Sequence, residues 1–232
     1  MSRGKIGTIV SANIPNLVGH WKFQEGPGLI AQDYSGACRH GKIFGAKYVS
    51  DYTGNHSALQ FDGEKSYVLI PNYNTDRHKR ITNLSFIFRF KAYSIGNGGV
   101  NGYSCGIISH AITDTKNGWF IEWRNSGDLE LGTFVSGVYA SFSIENNFND
   151  TSSWHVLKGS ISANGPVKVF LDNELKVNST IGNWRDSMTS DFVVGKGTSD
   201  MSNNPGKTNQ FFNGMIGEIM IFNSILKDGV DT

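Results

Sequence analysis

Residues 212–223 read FNGMIGEIMIFN. An Asn213-Gly214 turn signal leads into Met215 and Ile216, then Gly217-Glu218, then Ile219, Met220, Ile221 and Phe222. This is the most hydrophobic strand-like stretch of the chain, and it stands almost at the end of 232 residues. What it pairs with decides the fold.

Working back from it, period-2 segments dominate. Residues 83–92 (NLSFIFRFKA) alternate cleanly. Leu84, Phe86, Phe88 and Phe90 point one way, and Ser85, Ile87 and Arg89 the other, which is a strand pattern. Residues 65–71, 119–124, 128–134, 139–144, 154–161, 167–171 and 192–194 are similarly rich in β-branched and aromatic residues. Turn signals separate them, among them Asp62-Gly63, Ser126-Gly127, Asn164-Gly165 and Asp172-Asn173. No amphipathic helix is predicted beyond one turn near Ile225 to Gly229. Many short strands divided by turns predict an all-β, two-sheet antiparallel sandwich.

Composition agrees. Hydrophobic residues make up 38% and charged residues 18%, with 28 glycines, as expected of many turns and few charged helix faces. The net charge of +1 gives no electrostatic case for nucleic acid or an anionic membrane. No apolar run approaches the roughly 20 residues that span a bilayer. The opening MSRGKIGTIVSANIPNLVGHW lacks the apolar core and cleavage site of a signal peptide, so synthesis in a cytoplasm is expected if Met1 is the native start. Cys38 and Cys105 either close one disulfide or stand as free, half-buried thiols. Residues 1–16 lack a pattern and read as an N-terminal arm. A single domain is expected over 17–232.

The segments also match a known pattern in order. Leu17-Val18-Gly19-His20-Trp21 is followed by Glu25-Gly26, Asp33-Tyr34-Ser35-Gly36 and His40-Gly41. Then come Ala58-Leu59-Gln60-Phe61-Asp62-Gly63, Tyr67-Val68-Leu69-Ile70-Pro71, Trp154-His155-Val156 and the hairpin at 170–175, before the closing 212–223. Over roughly residues 17–228 the chain resembles the laminin-G-like domains of the concanavalin A-like jelly-roll superfamily, of the kind found in bacterial and phage surface proteins. The resemblance implies that the last long strand pairs beside the first. It also places Trp21 and Trp154 in the core.

Several motifs bear on chemistry. Gly102-Tyr103-Ser104-Cys105-Gly106 fits a nucleophile elbow by letter, but that elbow needs a helix after it, and GIISHAI reads as a strand. Glu122, Asp128 and Glu130 are the nearest approach to the paired acids of the glucanases in the superfamily. The third acid of their strand motif is missing, so no enzymatic activity is expected. The loop Asp33-Tyr34-Ser35-Gly36 offers a carboxylate and carbonyls that suit Ca²⁺. The resemblance implies a structural calcium there, held by Asp33, Gly36 and Glu218; the other reading is an Asx-turn in which Asp33 caps its own loop. Trp184, in the polar stretch Gly182-Asn183-Trp184-Arg185-Asp186, is expected to be exposed, with its ring stacking on a sugar and Arg185 bonding hydroxyls. Trp123, Tyr103 and Tyr139 are further ligand-binding candidates.

The expected function is non-catalytic recognition of a glycan or host-surface ligand, displayed on a virion or extracellular surface. The alternative is a structural virion protein, a capsid decoration or tail-associated subunit, docked on capsid or tail proteins through the arm. A glycan-active enzyme is the lesser alternative. Homo-oligomerisation is compatible with either main reading.

Overall fold

The computed structural model describes residues 14–50, 57–71, 81–94, 104–112, 117–135, 137–184, 191–197 and 210–227. In chain order the strands are β1 (Leu17–Trp21), β2 (Ile30–Ala31), β3 (Gly41–Phe44), β4 (Lys47–Ser50), β5 (Ser57–Asp62), β6 (Tyr67–Ile70), β7 (Asn83–Ser94) and β8 (Cys105–Ile112). There follow β9 (Asn117–Trp123), β10 (Leu129–Val135), β11 (Val138–Glu145), β12 (His155–Ser162), β13 (Gly165–Leu171), β14 (Glu174–Ile181), β15 (Phe192–Val194) and β16 (Asn213–Phe222). No described residue is helical; in the one turn expected near Ile225 to Gly229, residues 225–227 are irregular and the rest lies outside the described residues.

Two antiparallel sheets form a sandwich. The first runs β14-β13-β12-β7-β16-β5-β4, with β1 also paired to β16; the second runs β11-β10-β9-β8-β15-β6-β3-β2. The apolar closing strand therefore has partners on both edges. Along one edge lies β7. Along the other lies β5 beside Asn213 to Ile216, then β1 beside Ile219 to Phe222. First and last strands thus meet, as the resemblance implies.

A β-bulge marks the handover. Ile216 pairs with Phe90 and Ile219 with Phe88, so three residues of β16 span two of β7. Ile216 and Ile219 are three apart and would face opposite sides of a regular strand. The bulge puts both into the main core, with Ile221, while Met220 and Phe222 join Ile87 in a smaller cluster on the outer face. The alternation read in β7 holds: Leu84, Phe86, Phe88 and Phe90 are in the main core.

Aromatic rings cross between the sheets. Trp21 of β1 stacks on Phe192 of β15 at 5.7 Å, and Phe86 of β7 on Trp119 of β9 at 5.2 Å and 8°. Trp21 also donates from Nε1 to the Arg39 carbonyl at 2.9 Å, so its polar edge is satisfied inside the core. Between β5 and β6, Asp62 Oδ1 accepts from the backbone N–H of Glu64, Lys65 and Ser66 and from the Ser66 hydroxyl. Partial burial pushes the Asp62 carboxyl up, but these bonds outweigh it and hold it far below the ordinary carboxylate range. Cys38 is exposed and Cys105 buried; no disulfide joins them, and neither is half-buried.

The arm assigned to residues 1–16 lies outside the described residues up to 13. Ile14 to Asn16 form the turn into β1, and the Asn16 carbonyl accepts from the Asn223 N–H at 3.0 Å.

Two outcomes are expected. Ending the chain before Met215 removes a partner of β1, β5 and β7 together and abolishes soluble, cooperative folding; ending it after Asp228 leaves the melt cooperative. Asp62→Asn lowers the melting temperature at neutral pH, and the gap from the parent closes as acid titration passes below the unfolded carboxylate pKa of about 4, because the depressed native pKa contributes stability above that value and loses it below.

Candidate functional site

The outer face of β9, β10 and β11 brings together polar and aromatic side chains that the inward alternation of these strands leaves outside. Trp119, Ile121 and Trp123 of β9 and Leu129 and Leu131 of β10 enter the core. Their neighbours Phe120, Glu122, Glu130 and Phe134 therefore face out. Register puts Glu122 directly opposite Glu130, and Phe134 opposite Tyr139 of β11.

Arg124 ties this face together. Its Nε lies 3.2 Å from Glu122 Oε1 and 2.7 Å from Glu130 Oε2, and an Nη group donates to the Tyr139 hydroxyl at 2.8 Å. The Glu130 contact is an ion pair rather than an aligned hydrogen bond, since Oε2 has no hydrogen-bond partner. Two carboxylates thus share one guanidinium. Burial pushes the Glu122 carboxyl up, Arg124 offsets part of this, and the Glu130 charge raises it further. Burial likewise raises Glu130, against the pull of Arg124 and with a push from Asp128. The Tyr139 hydroxyl is raised by burial first and by the Glu122 charge next.

The rings are ordered beside them. Phe120 stacks on Tyr139 at 6.1 Å and 17°, and Phe134 meets Tyr139 edge-on at 5.8 Å. Phe120 lies against Gly132, where a Cβ would come within 2.3 Å of its ring. Phe120 and Phe134 are buried, but Tyr139 remains 42% exposed. An exposed ring held by packing, beside a guanidinium and two carboxylates, offers a stacking face together with donors and acceptors for hydroxyl groups.

Of the residues singled out in the sequence, Tyr139 takes this position. Trp184 does not: it is 1% exposed and its Nε1 donates to Thr133 Oγ1 at 2.7 Å. Its polar sequence neighbours gave the wrong sense of its surroundings, because its acceptor sits on β10, 51 residues away. Trp123 is also a core residue, with its Nε1 on the Gly127 carbonyl. Tyr103 and Arg185 lie outside the described residues. Trp154 is half-buried under the Arg89 guanidinium, 4.4 Å from its ring, rather than in the main core. Cys105 opens a strand, so no helix follows Ser104 and the nucleophile-elbow reading fails.

The Asp33 loop follows the Asx-turn reading. Oδ1 accepts from the N–H of His20 and Ser35, and Oδ2 from the Ser35 hydroxyl and the Arg39 N–H, all within 2.9–3.0 Å. A carboxylate has about four acceptor positions, and four donors fill them, leaving none for a cation. Glu218 is engaged by His20 Nε2. Gly36 belongs to the exposed turn, with φ of +89°. Among the described residues no group of three or more His, Cys, Asp or Glu side chains is placed to hold a metal. These residues do not fit a structural calcium. Stripping metal with EDTA is expected to leave the melting temperature unchanged.

No protein family matches the sequence, and no curated protein does. The fold does match solved structures. Domain 4 of AbnA, a GH43 extracellular arabinanase from Geobacillus stearothermophilus, in complex with arabinotriose, superposes with a TM-score of 0.62 at 17% identity, over 92% of this chain and 95% of that one. The binding domain of Paraclostridial Mosquitocidal Protein 1 gives 0.70 at 13% identity, over 92% and 50%. The binding domain of Botulinum neurotoxin DC in complex with SialylT gives 0.65 at 12%, over 92% and 49%. The chain thus spans about half the length of these toxin binding domains and nearly all of the arabinanase domain. At these identities the likeness shows a shared two-sheet β-sandwich fold.

Two substitutions check the placement of these side chains. Trp184→Ala should cost about 3–5 kcal/mol in a denaturant melt, the loss expected for a large buried aromatic. Glu122→Gln should raise the melting temperature at pH 7, since it leaves one carboxylate for one guanidinium. That gain should vanish below about pH 4, where the native carboxyls are protonated in both proteins; a raised native pKa costs stability as pH rises through it.

Proposed function

We propose that this chain is a non-catalytic recognition module that binds a glycan on the outer face of β9, β10 and β11. The observation that carries this is the exposed Tyr139 ring, packed on Phe120 and tethered by Arg124 beside Glu122 and Glu130. A sugar presents a C–H face and a rim of hydroxyls, and the site offers a ring for the first and charged acceptors and donors for the second. The fold neighbours support the reading: one was solved with arabinotriose and another with SialylT. The Glu pair is read as binding rather than catalytic because Arg124 Nε lies between the two carboxylates, where a glycosidase needs room for the scissile bond. The laminin-G-like pattern of the sequence further suggests a surface-displayed protein, on a virion or outside a cell.

A glycan array probed with the full chain tests this. Selective binding is expected, and Tyr139→Ala should weaken it by about tenfold or more, a loss of the size given by a stacking anchor, while the variant still melts cooperatively. Silence across the array, or binding indifferent to Tyr139→Ala, would refute the proposal.

A further inference from the structure

A cavity of about 360 Å³ opens where the turn between β9 and β10 meets the loop between β11 and β12. Trp123, Gly127, Asn147, Phe148, Asn149 and Thr151 line it, and none of them carries a charge.

The floor is apolar and nearly closed. Phe148 is 5% exposed and Trp123 1%. The two rings meet edge to face at 5.3 Å, and Phe148 is held from behind by His155, again edge-on, at 5.0 Å. The Trp123 indole N–H is taken by the Gly127 carbonyl. This leaves too little open ring for a sugar to stack on, but enough to receive a small apolar group such as a methyl.

The rim is polar, and its side chains are available. Asn147, Asn149 and Thr151 are exposed. Among the described residues, their side-chain amides and hydroxyl make no hydrogen bond. The loop is fastened by other groups. Asp128 Oδ1 accepts the Asn147 N–H at 3.1 Å, and Oδ2 accepts the Ser126 hydroxyl at 2.7 Å, which ties loop and turn together. Asp150 Oδ1 accepts from the N–H groups of Ser152 and Ser153 and from the Ser152 hydroxyl. The rim groups are thus held in place by bonds that leave them open to a ligand.

We propose that this cavity binds the acetamido group of an N-acetylated sugar, at a site separate from the Tyr139 face. An acetamide is uncharged, ends in a methyl and carries one N–H and one C=O. The methyl fits the floor of Trp123 and Phe148. A side-chain amide both donates and accepts, so Asn147 and Asn149 suit the two polar atoms, and the Thr151 hydroxyl suits a neighbouring ring hydroxyl. An extended peptide would instead need a free strand edge or a row of alternate pockets. A sugar with a hydroxyl in place of the acetamide would leave the floor empty and the amides unmatched.

Calorimetric titration of the full chain tests this, with triacetylchitotriose and cellotriose as probes, which share a backbone and linkage and differ in acetamide against hydroxyl. The acetylated trisaccharide is expected to bind at least about tenfold more tightly. In NMR spectra it should shift the Trp123 indole N–H resonance, and cellotriose should not. Asn149→Ala and Thr151→Val should each weaken its binding about fivefold, the effect of one neutral hydrogen bond, and both variants should melt cooperatively. Tyr139→Ala should leave the preference intact, so failure of the glycan reading on that face does not decide this one. Absence of binding, equal affinity for the two trisaccharides, or binding indifferent to both rim substitutions would overturn the proposal. Loss of the preference in Tyr139→Ala would move the acetamide to the other face. Tighter binding of N-acetyl-trialanine amide than of the sugar would assign the cavity to a peptide. Either result also overturns it.

Discussion

β16 is hydrogen-bonded along one edge to β7 and along the other to β5 and then β1. A strand with neighbours on both edges and packing on both faces has little freedom in register, because a slip by one residue exchanges core and surface side chains. The bulge at Gly217-Glu218 reconciles this with the sequence. It allows Ile216, Ile219 and Ile221 to share the main core although their spacing is uneven. The rest of the first sheet is laid down from this strand, and the second sheet is fixed to it by Trp21 on Phe192 and Phe86 on Trp119.

Both outer faces inherit their chemistry from those inner constraints. Because Trp119, Ile121 and Trp123 must enter the core, Glu122 must face out, and antiparallel register brings it against Glu130. Burial of two carboxylates beside each other requires a cation, and Arg124, one residue beyond β9, supplies it. On the opposite face the same logic turns Arg89 outward, between the inward Phe88 and Phe90. Gly217 then leaves room for its guanidinium.

Much of this was legible in the sequence and some was not. The alternation in β7 and the meeting of first and last strands follow from periodicity and from the jelly-roll resemblance. The uneven interval between Ile216 and Ile219, with a glycine inside it, was a visible sign of a bulge. Trp184 was misread as exposed because local polarity says nothing about a buried hydroxyl such as Thr133 on a distant strand. The Asp33 loop had two readings, and the choice depended on backbone N–H groups from His20 and Arg39 that no side-chain pattern reveals. Arg124 escaped notice because its role depends on which strands become neighbours. Glu122 and Glu130 were visible as acids, but their cross-strand pairing was not.

The pairing of β1 with β16 also sets an order of events during synthesis. The His20–Glu218 contact joins residues 198 apart. Chains dominated by such distant contacts fold slowly, since the loop between the partners must close before the pairing repays it. As the polypeptide leaves the ribosome, β1 has to wait until β2 to β15 have emerged before its partner strand follows. Until then Trp21 and the strand beside it are exposed, and they are a natural place for a chaperone to hold or for two nascent chains to mispair.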